Sequence, residues 1–199
     1  MSIRKWVSLF ISTLILGGVT ALIAGLIAEW DIYTKDFATG DLIDFFKSTV
    51  LLFGTGCLFS VLSQMGFFAY LTFHRICLGM FGSPDIWGKV QLVLIAFVFF
   101  DLVYFRHHAF ASKDESILNY FFLPILLLIV SLVIALWKKR ETNRYAFIPT
   151  IFFMFVVTTL EWLPVLKQND FRWLWIMGIT LVLCNAYQVL KLHRMLKKS

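Results

Sequence analysis

Six long apolar stretches fill most of this chain, and the charged residues gather in the short gaps between them. Four stretches contain no Asp, Glu, Lys or Arg; the other two each contain one acid, in one case with a Lys near the start. The six stretches are Trp6–Ala28, Ser48–Phe73, Trp87–Phe105, Ser116–Trp137, Tyr145–Val165 and Trp173–Leu190. An uncharged run of about 18 residues is long enough, as a helix, to cross a hydrocarbon core. The pattern therefore predicts six transmembrane helices.

The composition supports an all-α, polytopic integral membrane protein. Mean hydropathy is +0.82, and 60% of the residues are hydrophobic while only 15% are charged. A soluble domain carries about a quarter charged residues, so this chain lacks the polar surface that water requires. The connectors are too short to form a further domain, which predicts one domain over residues 1–199. Its six helices form a bundle whose solvent is the lipid bilayer.

The distribution of basic residues predicts the orientation of the bundle. With the N-terminus inside, 12 of the 18 Lys and Arg residues lie on the cytoplasmic side and 6 lie outside. Cytoplasmic loops carry the excess of Lys and Arg, so both termini are predicted to be cytoplasmic, in a multi-pass protein of the cell membrane. This signal also explains the net charge of +6. The basic residues are scattered over many connectors, which argues against a nucleic-acid partner. Four tryptophans at predicted span ends, Trp87, Trp137, Trp162 and Trp173, suit the headgroup layer.

Small residues form a stripe on each of the first two spans. Thr13, Gly17, Ala21 and Gly25 recur every fourth residue, and Gly56, Ser60 and Gln64 follow the same spacing on the second span. Small side chains let helix backbones approach closely in a membrane. We expect these faces to contact each other or another helix, either within the bundle or on a partner.

Three polar residues at the outer level of the bundle form a candidate intramembrane cluster. Asp101 and Glu161 lie near the outer ends of the third and fifth spans, and Asn119 lies at the same level. A carboxylate at membrane depth is costly unless it is paired, protonated or wet, so such acids often mark function. A structural cluster is favoured over a proton or ion site. Deeper in the bundle, Gln64, Asn185 and Gln188 are expected to hydrogen-bond across helices.

No catalytic, cofactor-binding or metal-binding constellation is visible in the sequence. The predicted topology divides the four histidines between the two sides of the membrane, and no hydrolase or phosphate-loop motif is present. We therefore expect a protein that is not an enzyme and has no cofactor. The longest connectors, residues 29–44 outside and residues 74–86 inside, are expected to be loops, and the inner one is a candidate cytoplasmic contact.

Two segments resemble a known family over their whole length. Residues 60–75 and residues 90–106 are similar to the two hallmark stretches of the KinB-signalling pathway activation proteins (KbaA) of spore-forming bacilli. The chain length, the six spans, the basic tail and residues 14–18 fit the same family. These stretches identify a family without identifying an active site.

The resemblance implies a positive regulator of a membrane-bound sensor histidine kinase that feeds the sporulation phosphorelay. Helix contact in the membrane, through the stripes of the first two spans, is a mechanism consistent with these residues. The alternative function is a small-solute or ion transporter in which Asp101, Glu161 and Gln64 line a path. Few intramembrane charges and no paired broken helices argue against transport. The oligomeric state stays open at this point.

Overall fold

The computed structural model describes residues 3–30, 42–111 and 116–197, and within these ranges all regular structure is helical. The α-helices are α1 Ile3–Ala28, α2 Leu42–Phe81, α3 Pro84–Phe110, α4 Phe122–Glu141, α5 Phe147–Phe152, α6 Thr158–Gln168 and α7 Phe171–Lys197. Short 3₁₀ turns over Ile117–Phe121 and Arg144–Ala146 precede α4 and α5. A π-helical segment, Phe153–Val157, joins α5 to α6.

Six helical segments in the described part of the chain are long and apolar enough to cross a membrane. They are Ile3–Ala28, Ile43–Phe81, Pro84–Phe110, Ile117–Glu141, Arg144–Gln168 and Phe171–Met195. The helical fold and the six apolar segments agree with the sequence prediction. The orientation and the single domain stay predictions.

The prediction of an inner loop over residues 74–86 is wrong, because α2 continues to Phe81. Apolar residues such as Ile76 and Leu78 extend the helix-compatible pattern past the second predicted span. The helix ends at Gly82, whose φ of +63° lies in the left-handed region that glycine adopts without strain. Gly82 donates its N–H to Leu78 O at 3.1 Å, and α3 begins two residues later.

The chain divides into two compact units. Unit 1 comprises Met1–Gly66 and Glu161–Ser199. Here α1 packs along α7 in antiparallel fashion, with Lys5 Nζ donating to Met195 O at 2.9 Å near one end. Ala21, Leu52 and Ile176 form an apolar core in this unit.

Unit 2 comprises Phe67–Leu160. It contains the second half of α2 together with α3, α4, α5 and the π-helical segment. Aromatic rings dominate its packing: Phe67 lies edge-on to Phe153 with ring centroids 5.4 Å apart, and Tyr70 stacks on Phe152 at 5.7 Å. The π-helical segment is almost wholly buried, which places an irregular turn inside this unit.

Candidate functional site

The small-residue stripes of α1 and α2 lie face to face in unit 1. Thr13, Gly17 and Ala21 are buried, and a Cβ built on Gly17 would lie 2.5 Å from Ser60 Cβ and 2.7 Å from Gly56 O. Such distances leave no room for a side chain, so the two backbones meet at Gly17 and Gly56. Further along, Gly25 packs against Leu52.

Hydrogen bonds reinforce this contact at the level of Thr13. Ser60 Oγ donates to Thr13 O at 2.8 Å, which joins α2 to α1 through a main-chain carbonyl. Gln64 Nε2 in turn donates to Ser60 Oγ at 3.2 Å. Ser60, Gln64 and Thr13 are all buried, and a bond of this kind stabilises helix association in a membrane by about 1 kcal/mol.

A second polar chain connects three helices within unit 1. Asn185 Nδ2 on α7 donates to Glu161 Oε2 on α6 at 2.7 Å, and Ser63 Oγ on α2 donates to Asn185 Oδ1 at 2.7 Å. Gln188 Nε2 donates to Ser63 Oγ at 2.6 Å. Asn185, Ser63 and Gln188 have no exposed surface, and Glu161 is 6% exposed. We call Glu161, Asn185, Ser63 and Gln188 the buried polar chain.

The buried polar chain leaves some polar atoms without a partner. Among the described residues, Glu161 Oε1, Gln188 Oε1 and the nearby Trp162 Nε1 are buried and form no hydrogen bond. The Trp162 ring packs against Gly178, where any side chain would collide with it. Buried unpaired polar atoms cost free energy, so this part of unit 1 carries a desolvation penalty.

The predicted cluster of Asp101, Glu161 and Asn119 stays a prediction. Asn119 is exposed on the 3₁₀ turn before α4, and Asp101 is half-buried on α3. Within the described ranges, neither side chain takes part in a hydrogen bond or ion pair. Glu161 instead bonds to Asn185 in unit 1.

Unit 2 contains a different polar cluster, built from Tyr70, His74, Trp87 and Gln91. Tyr70 Oη donates to Pro149 O at 2.9 Å and accepts from Gln91 Nε2 at 3.1 Å. Trp87 Nε1 donates to His74 Nδ1 at 2.9 Å. We call these four side chains the Tyr70–Trp87 cluster.

The cluster determines which nitrogen of His74 carries the proton. An indole N–H can only donate, so His74 Nδ1 must accept from Trp87. A neutral imidazole has one acceptor and one donor nitrogen, which leaves Nε2 as the N–H donor. Within the described residues Nε2 forms no hydrogen bond, and the His74 ring lines a cavity.

A cavity of about 630 Å³ opens beside this cluster, between the end of α2 and the starts of α3 and α5. Its apolar wall comes from Leu78, Ile148 and Pro149. Six side chains with polar groups also line it: His74, Trp87, Asp85, Lys89, Arg144 and Tyr145. Arg144 is held at the rim because its guanidinium donates to Tyr145 Oη at 3.1 Å and lies over that ring. The volume falls within the range of small-ligand sites.

Sequence reasoning missed the Tyr70–Trp87 cluster. Trp87 is 2% exposed and Trp162 is 5% exposed, so both rings are buried within the protein. Their location in the headgroup layer stays a prediction. A signal was present: Gln91 is an amide in an apolar run, one helical turn after Trp87, and His74 follows Tyr70 by the same spacing. The pairing between helices is what the sequence did not reveal.

Metal-ligating side chains do not assemble in threes anywhere in the described part of the chain. Cys77 and Cys184 are buried and Cys57 is half-buried, each as a free thiol.

Comparison with known proteins gives a match over nearly the whole chain. The family model described as "KinB-signalling pathway activation in sporulation" matches residues 17–195. The KinB-signaling pathway activation protein of Bacillus subtilis (strain 168) is 38% identical over 198 residues, covering 100% of both chains. No solved structure matches. The two stretches that suggested this family lie inside the matched region, and an identity of this level over full length leaves a single assignment: the chain belongs to the KinB-signalling pathway activation family.

Proposed function

We propose that this chain is a multi-pass protein of the cell membrane that activates KinB signalling in sporulation. The observation that carries the proposal is the 38% identity to a KinB-signaling pathway activation protein along the full length of both chains. The six apolar helical segments support a membrane location. In this proposal the chain is a regulator and not an enzyme, and its partner is a membrane-bound sensor histidine kinase.

Direct helix contact in the membrane is the mechanism that we propose. Activation by contact requires that the chain bind one state of the kinase more tightly than the other, since only differential affinity shifts an equilibrium. A kinase helix can reach only the side chains that this chain leaves exposed. On α1 the exposed side chains include β-branched residues at every fourth position: Val7, Ile11, Ile15, Val19, Ile23 and Ile27.

The stripe on the other face of α1 has an internal role in this proposal. Gly17 is already in contact with Gly56 and Ser60, so a partner helix would have to displace α2 to reach it. The exposed ridge of α1 is therefore preferred as the contact face.

Co-purification from membranes tests the proposal. A tagged chain should recover the sensor kinase, and Ile15→Trp with Val19→Trp should reduce recovery because bulky rings hold a partner helix away. Ile129→Trp with Val133→Trp is the matched control, since both residues are exposed on α4. If the kinase is absent while a sporulation reporter stays fully active, direct contact is excluded.

Reporter fusions test the proposed orientation. An enzyme that is active only outside the membrane should work when fused after Thr39 or Ser112 and fail after Gly82 or Arg140. The first two sites lie outside the described residues but within predicted outer connectors. The opposite pattern would mean that both termini lie outside.

A further inference from the structure

The cavity in unit 2 has the chemistry of an anion site. Lys89 and Arg144 supply two positive charges to its lining and Asp85 supplies one negative charge, which leaves a net charge of +1. His74 adds an N–H donor at Nε2, because Trp87 fixes its tautomer. Guanidinium and ammonium groups form strong, charge-assisted hydrogen bonds with phosphate oxygens, and a neutral imidazole N–H adds an ordinary hydrogen bond.

Two of the donors, His74 and Arg144, are oriented by neighbouring rings before any ligand arrives. Trp87 is 2% exposed and stacks on Phe81 with ring centroids 5.5 Å apart, so the ring that orients His74 is itself fixed. Arg144 is anchored by its bond to Tyr145 Oη and by the contact with that ring, 5.0 Å from the guanidinium carbon to the centroid. A preorganised site loses less conformational entropy when it binds a ligand.

The first turn of α3 forms part of the wall and favours an anion as well. Pro84, Asp85 and Gly88 line the cavity, and the Ser83 side chain does not cap this helix. Main-chain N–H groups at the start of a helix carry partial positive charge. A Cβ built on Gly88 would approach only Ile148 Cδ1, at 3.4 Å, so the space beside it belongs to the cavity.

We propose that this cavity binds a phosphate-bearing ligand, either the headgroup of an anionic phospholipid or a soluble phosphate ester. Lys89, Arg144 and His74 Nε2–H contact the phosphate oxygens, while Leu78, Ile148 and Pro149 pack against the apolar part. Basic pockets between transmembrane helices are typical sites for lipid headgroups. This proposal concerns the isolated chain and does not depend on a kinase, so it can fail or succeed independently of the proposed function.

Thermal unfolding of the purified full-length protein in dodecyl maltoside tests the site directly. The lipid probe is dioctanoyl phosphatidic acid, the soluble probe is glycerol 3-phosphate, and dioctanoylglycerol is the uncharged control. A ligand that binds only the folded state raises the unfolding temperature. Stabilisation by phosphatidic acid alone identifies a headgroup site, and stabilisation by glycerol 3-phosphate identifies a soluble phosphate ester. Stabilisation by neither probe, or equally by dioctanoylglycerol, overturns the proposal.

Three variants locate the binding. Lys89→Gln with Arg144→Gln should weaken the effective probe by at least about tenfold, because two charge-assisted contacts are lost. Arg75→Gln with Arg140→Gln removes the same charge from exposed residues that do not line the cavity, and should leave the affinity unchanged. Gly88→Leu keeps every charge but fills the space and should abolish binding. Equal weakening by both double variants would show a nonspecific charge effect and exclude this site.

Discussion

The two units solve the problem of buried polar groups in opposite ways. In unit 1 the buried polar chain is shielded from solvent: Asn185, Ser63 and Gln188 have no exposed surface, and Ser63 bonds to both of the others. In unit 2 the Tyr70–Trp87 cluster is buried at one end, where Gln91 bonds to Tyr70. At its other end His74 lines a cavity. Amide and hydroxyl groups thus fix helix packing in unit 1, whereas in unit 2 a similar network ends at an imidazole that lines a cavity.

Glycine use shows the same difference. Gly17 and Gly56 sit where two backbones touch, so no side chain fits. Gly88 borders the cavity and has room beside it. These glycines allow close packing in unit 1 and leave room beside a cavity in unit 2. Substitutions at these positions can therefore separate the two roles.

The largest effect is expected at the backbone contact of unit 1. Gly17→Leu should destabilise the protein by about 3 kcal/mol, because its side chain must push apart α1 and α2. Denaturant unfolding in detergent, together with the amount of protein in the membrane, measures this loss. Gly54→Leu is the matched control, since a Cβ there meets nothing within 4 Å. Equal stability of the two variants would show that the close contact has no energetic weight.

The next effect concerns the acid of the buried polar chain. Glu161→Leu should cost about 2 kcal/mol, because the buried hydrogen bond from Asn185 Nδ2 to Glu161 Oε2 is lost. Glu161→Gln keeps an acceptor oxygen and should be clearly milder, as measured by unfolding and by a sporulation reporter normalised to protein level. If Gln abolishes reporter activity as fully as Leu at unchanged abundance, the acid must titrate during function, and the transporter alternative gains support.

A smaller effect is expected at the donor of the Tyr70–Trp87 cluster. Trp87→Phe removes one hydrogen bond to His74 and should cost about 1 kcal/mol. Trp137→Phe is the control, because that ring is exposed and its bond to Glu141 is on the surface. The same Trp87 variant should also weaken binding of the phosphate probe, since His74 loses its fixed tautomer. Unchanged probe affinity would remove His74 from the site.

The smallest effect is expected at Asp101. Its half-buried carboxylate has no hydrogen-bond partner among the described residues, so Asp101→Asn should change stability by about 0.5 kcal/mol or less. Asp101→Leu provides the comparison, and reporter activity normalised to protein level is the readout. A loss of activity for both variants at normal abundance would contradict a structural role for this acid.

Hydrophobic patterning predicted the helical fold well, because an uncharged apolar run of this length is typical of a transmembrane helix. It also singled out Gly17, Ser60, Gln64 and Glu161 as candidates, since small or polar residues are conspicuous in an apolar span. It did not predict which residues of distant segments bond to each other. Asn185 lies 24 residues from Glu161, and nothing local to either residue indicates that they bond.

Irregular helical turns could not be predicted from the pattern either. The π-helical segment Phe153–Val157 contains only apolar residues, so no sequence signal separates it from an ordinary helical turn. Trp87 illustrates a third limit. A tryptophan at a span end satisfies the rule for the headgroup layer, but that rule does not reveal that its N–H bonds to His74 on another helix.

The two-residue connection between α2 and α3 has a consequence for how the chain meets proteases. Arg75 lies in the predicted inner loop and Lys89 lies just beyond it, so both look accessible to trypsin. Both nevertheless lie inside helices, and only Gly82 and Ser83 separate those helices. A protease must draw several residues of extended chain into its cleft, and helical residues offer that conformation only after local unfolding. Cleavage after Arg75 therefore reports the opening of the α2–α3 hairpin, which turns an ordinary digestion into a measure of how often this end of unit 2 unfolds.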